Sequence, residues 1–178
     1  MVGGGGGGGG GLITGYGDQF SFFLPGDSVL VTVGNGGQLG SSSGGTQGPG
    51  SWTSGGRNSA FAGLVAIGGG GHANCCDYGG GGPNNGGSGA GIDQRNCCGG
   101  PGGFSVNNPR QGFDGGSSMD YNGGGGGGAN GAGISVPVGK LKSGAGGPGL
   151  LVNITGEDLY WAGGGGGVCN SVRLRVPK

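Results

Sequence analysis

Five cysteines and one histidine carry the most reactive side chains in this 178-residue chain. Four of the cysteines form two adjacent pairs, Cys75-Cys76 and Cys97-Cys98, each set among glycine and asparagine. The fifth, Cys169, stands alone behind a glycine run. Neighbouring side chains on an extended chain point to opposite sides, and zinc sites favour a gap of two to four residues between cysteines. The pattern therefore favours disulfides that join one pair to the other in an oxidising setting. It favours them over free buried thiols, and over a metal site with His72 as an extra ligand. Which cysteine meets which stays open. Cys169 is left as a free thiol or as a bridge to a neighbouring copy.

Nothing around His72 supplies the oriented base or the oxyanion frame that nucleophilic catalysis needs. Matches to G-x-G-x-x-G carry no information in a chain with 61 glycines. A phosphate loop is excluded because Gly139-Lys140 is followed by leucine. The aspartates are scattered through turn-like contexts, where they serve turn chemistry better than calcium binding. Asn153-Ile154-Thr155 is a single N-glycosylation sequon. Eight Lys/Arg balance eight Asp/Glu, so no basic footprint for nucleic acid is present. No stretch approaches the ~20 apolar residues of a membrane span. The expectation is a chain without enzymatic activity, cofactor, nucleic-acid partner or membrane insertion.

The elements that must position these residues are dominated by glycine. Gly3 to Gly11 is an unbroken run; Gly123 to Gly128 and Gly163 to Gly167 are shorter ones, and Gly68 to Gly71 and Gly79 to Gly82 are shorter still. Collagen is excluded because glycine does not recur at every third position. Disorder is disfavoured because charge is low and because apolar, β-prone stretches adjoin the runs. A polyproline II chain has three residues per turn, rises ~3.1 Å per residue and makes no internal hydrogen bonds. Built from glycine alone, such helices can pack backbone to backbone, each N–H finding a carbonyl on a neighbour. The expected fold is mainly β and irregular: a polyglycine II bundle flanked by short antiparallel strands, with almost no α-helix.

The strand candidates follow from composition. Phe20 to Leu24 and Val29 to Val33 flank a Pro25-Gly26-Asp27 turn and read as a hairpin. Ser59 to Ile67 is one apolar run leading into glycine, and Leu150 to Ile154 and Leu159 to Ala162 are two more. Pro137 confines any strand at 134–138 to an edge. Trp52, Trp161 and the phenylalanines offer core material. The loop aromatics Trp52, Tyr78, Phe104, Phe113 and Tyr121 suit either surface recognition or the capping of glycine helices. The whole chain, 1–178, reads as one glycine-rich domain. Residues 72–122 form a loop-rich, cysteine-containing insertion, and 171–178 form a C-terminal strand.

The order "VGGGGGGGGG", "LPGDSVLVTVGNGG", "GGRNSAFAGLVAIGGGG" and "LYWAGGGGG" resembles the glycine-rich domains of bacterial surface proteins and phage tail-fibre adhesins. The likeness covers about residues 1–71 and 159–167. It implies an extracellular structural or adhesive role. In that domain type a β-strand precedes the first glycine run, whereas only Met1-Val2 precede it here. The alternating strand Val172-Arg173-Leu174-Arg175-Val176 closes the chain, its apolar residues on one face and its arginines on the other. The expectation is head-to-tail self-assembly into a secreted filament, each copy completing its neighbour by strand addition. The alternative expectation is a phage tail-fibre adhesin on a virion surface, whose loops bind a cell-surface receptor or glycan.

Overall fold

A computed structural model describes residues 4–15, 23–38, 55–71, 85–92, 105, 109–118, 122–137 and 142–169. The described residues contain no helix and five short strands: β1 (Val31–Thr32), β2 (Ser59–Phe61), β3 (Leu64–Ala66), β4 (Leu150–Val152) and β5 (Leu159–Trp161). Most of the other described residues run as rods without regular sheet or helix pairing.

Backbone hydrogen bonds identify the rods as polyglycine II. Gly6 and Gly9 donate to Gly124 and Gly127; Gly124 and Gly127 donate to Ile92 and Gly89; Gly164 and Gly167 donate to Gly147 and Gly144. Each ladder advances by three residues, one turn of a threefold helix. None of the glycines in these runs lies at positive φ.

The 123–128 rod is the axis of a hexagonal array. Its N–H groups at 123 and 126 donate to Val168 and Gly165, those at 124 and 127 to Ile92 and Gly89, and those at 125 and 128 to Ile134 and Gly131. Its carbonyls at 123 and 126 accept from Gly144 and Gly147, those at 124 and 127 from Gly6 and Gly9, and those at 125 and 128 from Gly116 and Phe113. Every backbone polar group of the rod is thus paired, as burial demands. The neighbours are 4–11, 85–92, 111–118, 131–137, 144–149 and 162–168, and each also bonds to the next around the ring. Going round, the axis accepts from one neighbour and donates to the next, in strict alternation. The rods 4–11 and 144–149 run parallel to the axis and the other four run against it. A further rod, 67–71, lies outside, bonded to both 4–11 and 85–92.

Glycine is required here by close approach. A Cβ on Gly123, Gly125 or Gly127 would fall on the carbonyl oxygen of Gly4, Ala145 or Phe113. The core is therefore backbone. Ala90, Ile92 and Val136 are the only buried apolar side chains among the described residues. The expectation of an aromatic core is corrected for Trp161, which is 49% exposed; Trp52 lies outside the described residues. Rods 85–92 and 111–118 come from the stretch read above as loops. Phe113 belongs to the second of these rods, with the Arg110 guanidinium 4.5 Å over its ring.

The strands make two small antiparallel sheets, β1-β2-β3 and β4-β5. The single apolar run from Ser59 turns back on itself. Phe61 pairs with Leu64, and Ala62 and Gly63 between them have φ of 52° and 82°, the signature of a type I′ hairpin turn. Pro25-Gly26 forms the expected turn, closed by Asp27 N–H donating to the Leu24 carbonyl and capped by Leu24 N–H donating to Asp27 Oδ2. The hairpin expected around it has most of its first arm outside the described residues. The strand at Val31 pairs with Phe61, while Phe23 sets its ring against Phe61 at 5.8 Å. Residues 20–22 lie outside the described residues. At 134–137 no strand forms, because those residues complete the ring of rods.

Candidate functional site

The rod directions sort the chain into two poles. Rod 162–168 begins level with Ala129, whose N–H donates to the Ala162 carbonyl, and ends level with Gly123. Rod 144–149 runs the other way. The β4-β5 hairpin that joins them therefore stands at the Gly128 end of the axis. Rod 67–71 begins at the same end, where Gly11 N–H donates to the Ile67 carbonyl, so β1-β2-β3 stands there too. At the opposite end Val168 N–H donates to the Gly4 carbonyl over 2.7 Å, and Cys169 bridges to Asn122. One pole carries both sheets; the other carries the first rod's start and the last rod's end.

The strand pole is apolar and exposed. In β4-β5, Leu150 pairs with Trp161 and Val152 with Leu159, so these four share one face; Leu151 and Tyr160 share the other. Tyr160 is 73% exposed. A cavity of about 260 Å³ opens beside the first face, between Leu12, Ile13, Val152, Ile154 and Trp161. In β1-β2-β3, Val31, Phe61 and Leu64 form a similar exposed set.

The sheets differ at their edges. An unpaired strand edge offers a row of N–H and C=O groups to any added strand. On β3 that edge is closed by Gln111, whose Nε2 donates to the Val65 carbonyl at 2.9 Å and whose Oε1 accepts from Ile67 N–H at 2.8 Å. The carboxamide does there what a neighbouring strand would do. Among the described residues no strand pairs with the outer side of β1, nor with the outer side of β4 or β5. The sequence reading passed over Gln111. Its only signal is a large polar residue at the head of a glycine-rich segment.

Of the residues singled out by sequence, Cys75, Cys76, Cys97, Cys98, His72 and the strand Val172, Arg173, Leu174, Arg175 and Val176 lie outside the described residues. Cys169 is a half-buried free thiol at the pole opposite the sheets. Asn153 was read as part of an apolar strand. It is instead the first residue after β4, exposed, with its carbonyl accepting from Gly156 N–H in a tight turn.

A threefold backbone lattice around an all-glycine axis defines a glycine-rich domain. The family described as "Glycine-rich domain" matches residues 1–174, and the chain belongs to it. No curated protein and no solved structure matches the chain.

Proposed function

We propose that the protein is an extracellular, non-enzymatic structural protein that assembles with copies of itself into a filament. Residues 172–176 of one copy add as a strand to an open sheet edge of the next. The observation that carries this reading is the opposition of the poles. Cys169, the last described residue, stands at one end of the bundle, while the apolar sheet edges, unpaired among the described residues, stand at the other.

The length of the rods supports addition between copies. From the level of Gly123 to that of Ala129 the bundle rises about 19 Å, at ~3.1 Å per residue. A chain leaving Cys169 covers at most ~3.3–3.6 Å per residue, so it would use about six residues only to climb back. A chain extended from Cys169 would thus not bring positions 172 and 174 to the strand pole of the same copy, and a second copy sets no such limit. A contact between unlike ends does not close on itself and gives a filament.

The test is negative-stain electron microscopy of the unreduced full chain beside a version truncated after Asn170. Filaments from the full chain that disappear on truncation support the reading. Discrete particles from both would overturn it and favour a tail-fibre adhesin that binds a cell-surface receptor or glycan.

A further inference from the structure

We propose that the β4-β5 hairpin is the sheet that receives the incoming strand, and that the occupant is residues 172–176 of a second copy. This rests on the strand-addition reading and names its acceptor.

Three observations single out this hairpin from the other sheet at the same pole. The first is its edges: among the described residues both outer sides of the hairpin are unpaired, whereas the other sheet leaves only β1 unpaired, its β3 edge being closed by Gln111. The second is shape. Strand addition supplies affinity through backbone hydrogen bonds and specificity through pockets for alternate side chains. The apolar cavity beside Val152, Ile154 and Trp161 is such a pocket, of about 260 Å³. Val172, Leu174 and Val176 alternate along one face of the segment and so meet one side of the sheet together.

The third observation is charge. The connection between β4 and β5 carries Glu157 and Asp158, both exposed. The segment carries Arg173 and Arg175 and no acid. The described charges flanking the other sheet, Asp27 and Arg57, cancel. A strand laid along the β4-β5 hairpin places apolar residues against its apolar face and arginines on the side from which the acidic connection is reached. Opposite charges at the rim of an interface steer encounter and select the partner.

The experiment is a charge exchange in the full chain. One variant carries Glu157→Lys and Asp158→Lys; the other carries Arg173→Glu and Arg175→Glu. Glu157 and Asp158 lie in the β4-β5 connection, away from the rods, and circular dichroism checks that both variants keep the native spectrum. Each variant alone places like charges at the contact. Elongation, followed by light scattering at low ionic strength, is expected to slow ~10-fold or more for each alone. An equal mixture restores opposite charges at every contact in an alternating polymer, and its rate is expected to return to that of the wild type. Elongation that is unchanged in both single variants would overturn the hairpin as acceptor while leaving the filament intact. Slowing without rescue in the mixture would overturn it as well. A wild-type protein that forms no polymer would overturn the filament reading itself.

Discussion

Gly126 donates its N–H to the carbonyl of Gly165 over 2.8 Å, and a Cβ on Gly126 would fall on the carbonyl of Gly7. The bonding that holds the axis to its ring and the glycine that permits it are one requirement. The first prediction contrasts this residue with Gly10, where an added Cβ meets nothing within 4 Å and φ is not positive. Gly126→Ala must push rod 4–11 away from the axis and strand buried amides. It is expected to cost at least about 3 kcal/mol, or to prevent folding. Gly10→Ala is expected to stabilise by about 0.4–1 kcal/mol, because it only restricts the unfolded chain. Denaturant unfolding of the two variants measures both.

The same geometry orders the amides by protection. The axis amides at 124 and 127 are buried and bonded, whereas Gly7 and Gly10 are exposed and their N–H groups have no partner among the described residues. Hydrogen exchange followed by NMR is expected to show 124 and 127 opening only with global unfolding, and Gly7 and Gly10 exchanging near the rate of a free chain. Equal protection at both sets would mean that the hexagonal order does not persist in solution.

Much of this was legible in the sequence. Unbroken glycine beside apolar strands pointed to backbone packing, and Gly123 to Gly128 proved to be the axis. The rods at 85–92 and 111–118 were not legible. Their glycines are broken by Ser88, Ala90, Phe113 and Asp114, and whether a side chain fits depends on which of three directions a residue faces in the lattice. That phase is set by neighbours far away in sequence. The candidate site was half legible: the apolar stretches of β4 and β5 were visible in composition, but which pole they stand at depends on rod direction. The acidic β4-β5 connection looked like an ordinary turn until the fold set it opposite Cys169.

Gln111 gives the third prediction. It is only 5% exposed, and it holds β3 to the bundle through Val65 and Ile67. Gln111→Leu removes both bonds and leaves the Ile67 N–H without its partner. The expected loss is about 1–3 kcal/mol. If edge closure is its role, the variant also gains a second open edge and forms off-register aggregates that the wild type does not. Sedimentation velocity at matched concentration reads this directly. A variant that loses stability without aggregating would assign Gln111 to anchoring alone.

Ala62 holds φ of 52° in the two-residue turn between β2 and β3. The left-handed region costs a residue with a Cβ roughly 1–2 kcal/mol, and a type I′ turn prefers Asn-Gly at its centre. Gly63 already supplies the second residue. Ala62→Asn completes the pair without touching the rods or the Phe61–Leu64 pairing. The expected gain is up to about 1 kcal/mol, seen as a higher thermal midpoint with unchanged assembly. A loss of stability here would show that the β2-β3 hairpin does not keep its positive-φ turn in solution.

Ser88 and Ser118 carry the last prediction. Both are fully buried on rods of the ring, and neither hydroxyl has a hydrogen-bond partner. A buried polar atom left unpaired costs about 1–3 kcal/mol relative to water. Alanine occupies a similarly enclosed position at Ala90 on the same rod as Ser88, so the lattice accepts a lone Cβ in that rod. Ser88→Ala is therefore expected to be neutral or to stabilise by about 1 kcal/mol, whereas replacing a paired buried hydroxyl ordinarily destabilises. A clear loss of stability on substitution would mean that the hydroxyl is satisfied in solution, with an ordered water between the rods as the available partner. The sign of one unfolding measurement thus separates a dry backbone lattice from a hydrated one.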